Sequence, residues 1–228
     1  MIFNRSEDSE YHTQLNNKYI PLQSCNSTSM IMALKQAGYN FDHIIDQPED
    51  LLTTLIFSMD DDKIKELAPW AWDDRKDEPR IPPNEIHAVL EWATNHMMMG
   101  REVDHFTTNP SICTLIATIL TGGGVVLSGV FPYKNKTIGH MVSLAGIVTN
   151  RDDNNAELEN ITHFIIDDPH GNFRTDYKDV RGNNIKITKE EFYSIFRDTD
   201  NRERKWAHII KNKIIGPQQA DPEHKYAW

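Results

Sequence analysis

The stretch QLNNKYIPLQSCNSTSMIMALKQAG, residues 14–38, is the most informative part of the chain, because a polar run changes into one helix face directly after a cysteine. Pro21 disfavours helix for the residue before it, so the run ahead of Cys25 is predicted to be extended or looped. After Cys25, apolar side chains recur at the spacing of an amphipathic helix. These are Met30, Ile31, Leu34 and Ala37.

Cys25 therefore lies at or just before a helix N-terminus. Asn26, Ser27 and Thr28 offer side chains that can cap this end, and Gly38 suits the other end. Free N–H groups and the helix macrodipole stabilise a thiolate and lower the pKa of a thiol at such a position. Cys25 is either a nucleophile or a small buried cysteine that begins a core helix. Its position alone does not separate the two.

Composition limits the possible partners and compartments. The 228 residues carry a formal net charge of -10, with a pI of about 5.4, which argues against nucleic-acid binding. No run of eighteen apolar residues predicts a membrane span, and the N-terminal MIFNRSEDSEYHTQ lacks the features of a secretory signal. We expect a protein that is cytoplasmic at synthesis, with Cys25 and Cys113 as free thiols. Composition leaves the oligomeric state open.

Helical patterns come first along the chain and strands come later. Apolar residues at helical spacing follow Pro48 and Asn84, and Ser111 caps a shorter helix. Apolar strands are predicted at VVLSGV, MVSLAGIV, ITHFIID and WAHII. This segregation predicts an α+β fold in which N-terminal helices pack against a mostly antiparallel sheet.

We expect a single domain over residues 1–228, with a helical insert at 42–110. Residues 1–11 are predicted to form a loose arm, and the tail from Gly216 is predicted to be poorly ordered.

The aspartate run at 60–62 could bind calcium, but the ligand spacing and the glycine of a cation loop are missing. A helix start with acidic caps is the better interpretation. No cofactor and no metal are expected.

A cysteine nucleophile needs a base and a third group that orients the base. The sequence offers ten histidines. His140 is the leading candidate, because it opens a buried strand after Gly139. Asp168, at the end of the next strand, can accept the second ring N–H of His140 if the two strands are neighbours, and Asp167 is the alternative. The other candidate bases are His163, His170 and His208.

Three blocks of the sequence resemble one family. The pattern TQ-x-x-N-x-x-x-P-x-x-SCN-x-TS-x-x-M begins at Thr13. It resembles the nucleophile region of bacteriocin-leader-peptidase-like cysteine peptidases, which belong to the papain-like superfamily. GGGVVLSG followed by GHMVSLAGI resembles the histidine block, and IIDDPHGNF resembles the Asp-Pro-x-Gly block. The matches cover roughly 14–38, 121–148 and 161–175, and the stand-alone branch, without a transporter domain, fits best.

The resemblance implies a papain-like fold with a Cys25–His140–Asp168 triad. It also places Gln14 on the family glutamine, whose amide helps the Cys25 N–H to form the oxyanion hole. Gln23 is nearer to the cysteine in sequence and is the alternative donor.

The predicted activity is hydrolysis of amide bonds in bacterial peptides or proteins. A phage or bacterial lysin that cleaves peptidoglycan stem peptides is the alternative, and it would be released to the cell wall. Two further alternatives keep the same cleft: an acyltransferase of transglutaminase type, and a binding domain without activity. The sequence predicts neither a nucleic-acid partner nor a membrane partner.

Overall fold

An antiparallel sheet forms the centre of the protein, whose computed structural model describes residues 1–7, 11–41, 47–73, 75–150, 158–196 and 206–213. In chain order the strands are β1 (Ile2–Asn4), β2 (Trp72–Asp73), β3 (Glu78–Pro79), β4 (Asp104–Thr107), β5 (Gly124–Tyr133), β6 (Lys136–Thr149), β7 (Ile161–Asp167), β8 (Ile185–Thr188) and β9 (Trp206–Ile210). The main sheet has the order β4-β9-β5-β6-β7-β8, with β1 added along β6, and β2 and β3 form a separate ribbon.

Every pairing between described strands is antiparallel. The helices are α1 (Cys25–Gln36), α2 (Pro48–Phe57), α3 (Asp61–Leu67), α4 (His87–Met97), α5 (Ile112–Leu120) and α6 (Lys189–Ile195). The predicted α+β class with a mostly antiparallel sheet is therefore confirmed. None of the helices in the described part of the chain is long and apolar enough to span a bilayer.

Helices cover both faces of the sheet, so the protein has two cores. One core joins α1, α2 and α4 to alternate sheet residues such as Val126 and Met141. The other lies beneath α5 and α6 and contains Val125, Leu127 and Val142. The split follows the period of two along a strand, since neighbouring residues point to opposite faces. The N-terminal helices thus form one layer, and α5 and α6 form the layer on the other side.

Helix α1 crosses the middle of the sheet and fixes where Cys25 lies. All residues from Asn26 to Leu34 are buried. The helix approaches the sheet closely at Gly124, where an added Cβ would overlap the carbonyl of Ala33. A glycine is required at this point because any side chain would push the helix off β5.

The predicted side-chain capping at the N-terminus of α1 is wrong, whereas Gly38 follows the C-terminal end with a φ of 89°, as predicted. The N-cap is Ser24, which makes no side-chain capping hydrogen bond. Asn26 instead donates to Asn84 O at 2.6 Å, and Ser27 Oγ donates to Ser24 O at 3.2 Å. These side chains are buried, because the first turn of α1 packs against the segment around Asn84 rather than facing water.

The predicted acidic start of a helix at 60–62 is confirmed. Asp60 is the N-cap of α3, and its carboxylate accepts a hydrogen bond from Lys63 N at 2.7 Å. The side chain thus pairs with one of the free N–H groups at the start of the helix.

Residues 1–7 of the N-terminal arm are not loose, because Ile2–Asn4 form β1. β5 pairs with β6 only as far as Ser143, and β1 continues along the same edge from Gly146 to Val148. The unpaired groups of the longer strand β6 thus find partners in β1, which the polar sequence of the arm did not indicate. The predicted loose tail from Gly216 lies outside the described residues.

The segment predicted as a helical insert, 42–110, holds α2, α3 and α4 over its described residues. Its last strand, β4, pairs with β9 at the edge of the main sheet. Trp72 is 3% exposed and lies in the core shared with α1, whereas Trp70 is 61% exposed.

Candidate active site

Cys25 is the first residue of α1 and lines a cavity of about 360 Å³. The cavity lies between the start of α1, the segment that leads into α4, and strands β5 and β6. Cys25 is half-buried, whereas residues 26–34 of α1 are all buried. A rigid helix therefore presents the thiol to a space that a ligand can enter.

His140, on β6, connects Cys25 to Asp168. Its Nε2 lies 2.7 Å from Asp168 Oδ1, and both residues are buried. The imidazole is also hydrogen-bonded to the thiol of Cys25. Because Nε2 is taken by Asp168, Nδ1 is the ring nitrogen left for the sulfur. The structure thus brings together the three predicted triad residues.

The strand register explains how residues so far apart meet. β6 and β7 are antiparallel neighbours, with Ser143 opposite Asp167. His140 lies three residues before Ser143, and Asp168 lies one residue after Asp167, so both face the same end of the strand pair. The condition that the sequence left open, that these strands are neighbours, is fulfilled.

The electrostatics favour a thiolate and an imidazolium. Burial raises the pKa of the Cys25 thiol, but the hydrogen bond and charge of His140 and the N–H of Met141 outweigh it, so the pKa is lowered. Burial lowers the pKa of His140, but Asp168 and Cys25 together raise it to about 10. Both shifts favour the ion pair in which the imidazole holds the proton and the sulfur carries the negative charge.

Asp168 is held by its backbone as well as by its side chain. Its Oδ1 also accepts from His170 N at 2.9 Å, and its N–H donates to Gly182 O at 2.8 Å. Tyr11 donates its hydroxyl to Asp168 O at 3.0 Å. Burial, with nearby carboxylates adding to it, raises the pKa of Tyr11 to about 12, so the phenol remains a neutral donor. The carboxylate is thus fixed before any substrate arrives.

Asp167, the alternative to Asp168, belongs to another network. Its oxygens accept from Gln36 Nε2 at 3.1 Å and from Asn184 N at 2.7 Å. Gln36 Oε1 in turn accepts from Ser143 Oγ at 2.9 Å. This buried chain ties the end of α1 to the sheet, so Asp167 has a structural role.

Gln14 and Gln23 occupy different places around Cys25. Gln14 is buried, its Nε2 donates to Pro21 O at 2.9 Å, and its N–H donates to Pro169 O at 2.9 Å. Gln23 is exposed and lines the cavity. Gln14 thus sits between the loop before Cys25 and the turn after Asp168, and its role in an oxyanion hole stays a prediction.

The other candidate bases have different partners. His163 lies 3.0 Å from Thr162 Oγ1 at the surface, and the His170 ring stacks on Tyr177 with centroids 4.3 Å apart. His208 is buried, and its Nδ1 lies 2.8 Å from Asp104 Oδ2. The contacts of His163 and His208 involve no triad residue, whereas His170 lies beside the triad, with its ring centroid 6.1 Å from that of His140.

The sequence did not reveal that His87 lies on the cavity wall, with its Nδ1 3.0 Å from His208 Nε2. Its position, directly after a proline-rich segment at the start of a helix, carries no signal for such a contact. The partner is 121 residues away on another element. Only the pairing of β9 with β4 and β5 brings His208 beneath the start of α4.

Both cysteines are free, as the sequence predicted, and Cys113 is exposed on α5, on the far face of the sheet. No group of three or more His, Cys, Asp or Glu side chains within the described ranges is arranged to hold a metal ion.

Comparison of the chain with protein-family models, with curated proteins and with solved structures gives no match. The geometry of the site and the chemistry of its residues therefore indicate what the site can do.

Proposed function

We propose that the protein is a cysteine peptidase of papain-like fold that hydrolyses amide bonds in peptide or protein substrates. The observation that carries this proposal is the hydrogen-bonded chain from Cys25 through His140 to Asp168 on the wall of the cavity. A thiol, an imidazole and an orienting carboxylate in this order form the arrangement that activates a cysteine nucleophile.

In the acylation step, the Cys25 thiolate attacks the carbonyl carbon of the scissile amide, and an electron pair moves onto the carbonyl oxygen. The tetrahedral intermediate collapses and the C–N bond breaks, while the proton on His140 Nδ1 moves to the leaving nitrogen. The products of this step are a free amine and a thioester on Cys25. Asp168 keeps Nε2 protonated and holds the ring in position.

In the deacylation step, His140 Nδ1 takes a proton from water, and the oxygen of that water attacks the thioester. Collapse of the second intermediate expels the sulfur as a thiolate and releases the acid product. The thiolate and the imidazolium are thereby restored.

The oxygen that becomes negative in both steps needs fixed donors. The N–H of Cys25, at the first position of α1, has no carbonyl partner one turn earlier in its own helix and is one such donor. Gln14 remains the predicted second donor, since it is buried close to the residues on either side of the triad.

The architecture supports the resemblance to bacteriocin-leader-peptidase-like enzymes of the stand-alone branch. The helix that begins with the cysteine packs on an antiparallel sheet, and the histidine and the aspartate come from neighbouring strands of that sheet. In the proposed enzyme the cavity beside Cys25 receives the substrate chain.

The experiment compares Cys25→Ala with Cys113→Ala on a peptide library and on purified peptidoglycan. Because Cys113 is exposed on the opposite face of the sheet, its variant is a matched control for the loss of a thiol. We expect the wild type and Cys113→Ala to cleave peptides and Cys25→Ala to cleave none, although all three have the same thermal unfolding curve.

Iodoacetamide labelling supplies a readout that needs no substrate. We expect Cys25 to be alkylated at pH values where an ordinary thiol is protonated. Cleavage by a folded Cys25→Ala variant would refute the proposal. Release of stem peptides from peptidoglycan would identify the lysin alternative.

A further inference from the structure

A second imidazole chain ends at the cavity that Cys25 and His140 line. Asp104 Oδ2 lies 2.8 Å from His208 Nδ1, and His208 Nε2 lies 3.0 Å from His87 Nδ1. Asp104 and His208 are buried, whereas His87 is half-buried and lines the cavity. The proposed peptidase mechanism does not use any of these three residues.

The chain is rigidly packed. The His87 ring stacks on Phe106, with centroids 4.5 Å apart and planes within 6°, and it meets the edge of Trp206 at 5.2 Å. Phe106 and Trp206 belong to the paired strands β4 and β9. The ring therefore cannot turn without disturbing the edge of the sheet.

The hydrogen bonds set the tautomers. A carboxylate can only accept, so His208 carries a proton on Nδ1, and its Nε2 is an acceptor when the ring is neutral. His87 must then donate from Nδ1. Its Nε2, which makes no hydrogen bond to a described residue, is left as an acceptor at the cavity. Burial and the neighbouring His208 lower the pKa of His87 to about 3, so the acceptor persists at neutral pH.

The rest of the wall suits an aliphatic cation. Apolar surface comes from residues that include Leu22, Ile86, Leu90 and Met141. Glu85, exposed at the rim two residues before His87, adds a negative charge. No lysine or arginine is among the described residues of this wall.

We propose that His87, held as an acceptor by His208 and Asp104, forms with Glu85 a subsite for a primary aliphatic amine. The amine is either a side chain of the cleaved peptide or a free amine that takes the acyl group. In the second case the amine, in its neutral form, attacks the thioester in place of water, gives a proton to His140 Nδ1 and expels the Cys25 thiolate as the amide forms. An apolar stem fills the cavity, and the ammonium group donates to His87 Nε2. The subsite rests on the proposed peptidase function for the reaction in which the amine takes part. Binding of the amine at His87 and Glu85 does not depend on that function.

The first test uses no substrate. Side-chain ¹⁵N spectra of the full chain report which nitrogen of His87 is protonated, and we expect the proton on Nδ1. Butylammonium added at millimolar concentration should shift the His87 resonances, whereas butyrate at equal ionic strength should not. A proton on Nε2 of His87, or equal shifts by both ions, would overturn the proposal.

The second test compares cleavage profiles of the wild type, His87→Phe and His105→Phe. His105 lies on β4 with its side chain 72% exposed, so it is a matched control for the same substitution. We expect the wild type and the control to prefer lysine-containing peptides over their norleucine counterparts by about tenfold or more, the effect of one hydrogen bond to a charged group. His87→Phe should cleave both alike. A folded His87→Phe variant with the wild-type preference would contradict the proposal.

Adding butylamine to the cleavage assay distinguishes the two sources of the amine. Competitive inhibition indicates a side-chain subsite, and a butylamide product indicates an acyl acceptor. If butylamine neither inhibits cleavage nor yields a butylamide, and butylammonium does not shift the His87 resonances, the proposed amine subsite does not exist. If the wild type cleaves no peptide, the peptidase proposal fails, but the tautomer and the butylammonium shifts still decide the subsite.

Discussion

Replacing Asp168 by asparagine removes one negative charge and little else. Asp168 Oδ1 accepts from both His140 Nε2 and His170 N, while Oδ2 has no hydrogen-bond partner within the described residues. An asparagine whose Oδ1 takes the same place keeps both hydrogen bonds. Its Nδ2 replaces the unpartnered oxygen and becomes a buried donor without an acceptor, which destabilises the fold by about 1–3 kcal/mol.

The lost charge acts on His140. Two unit charges about 4 Å apart interact by about 4 kcal/mol at an effective dielectric constant of about 20. Since one pKa unit corresponds to about 1.4 kcal/mol, His140 should hold its proton about a thousandfold less tightly. Its pKa, about 10 in the wild type, should therefore fall towards neutrality. The sign follows from the charge, because a carboxylate stabilises the imidazolium and its removal favours the neutral ring.

The assay is the pH profile of kcat/KM on a peptide that the wild type cleaves. Rates should rise as Cys25 ionises, at a pKa below its ordinary value, and fall as His140 loses its proton near pH 10. In Asp168→Asn the alkaline limb should move down by about three pH units, since the leaving amine needs the proton of His140. The pH at which Cys25 becomes reactive towards iodoacetamide should not be higher in Asp168→Asn than in the wild type. The charge of Asp168 raises the pKa of the thiol, and the substitution removes that charge.

Asp167→Asn is the matched control, because it removes a buried carboxylate one residue away that binds Gln36 and Asn184. We expect this variant to be less stable but to keep the wild-type alkaline limb. An unchanged alkaline limb in a folded Asp168→Asn variant would refute the view that this carboxylate holds the proton on His140.

Three further substitutions test the oxyanion donor, the helix–sheet contact and the core. Gln14→Ala should lower kcat by about 10²–10³ with little change in KM, whereas Gln23→Ala should leave kcat near the wild-type value. If Gln23→Ala lowers kcat and Gln14→Ala does not, the oxyanion donor is Gln23 on the cavity wall. Gly124→Ala should lower the free energy of unfolding in urea by about 1–3 kcal/mol, because the new methyl group overlaps the carbonyl of Ala33; a neutral effect would contradict the close contact. Phe131→Ala should lower it by about 3–5 kcal/mol, because the ring is fully buried against the triad imidazole, and a loss below about 1 kcal/mol would contradict that packing.

Local sequence patterns determined most of the secondary structure. The spacing from Met30 to Ala37 fixed α1, and the acidic run at 60–62 fixed the start of α3. Thr188 and Glu191, spaced as in a capping box, form one at the start of α6. These features depend on residues within one or two turns of each other, so spacing carries the information. The strand β1 was missed, because its partner edge exists only where β6 extends past β5.

Local patterns also identify the candidates for the triad, a cysteine at a helix start and a histidine and an aspartate at the ends of apolar strands. The choice between Asp168 and Asp167 depends on the folded chain, because adjacent residues on an extended segment face opposite sides and the register of β6 with β7 places Asp168 beside His140. The folded chain also decides that His208 belongs with Asp104 and His87. Contacts between residues about a hundred positions apart depend on the order of strands in the sheet, which no local spacing encodes.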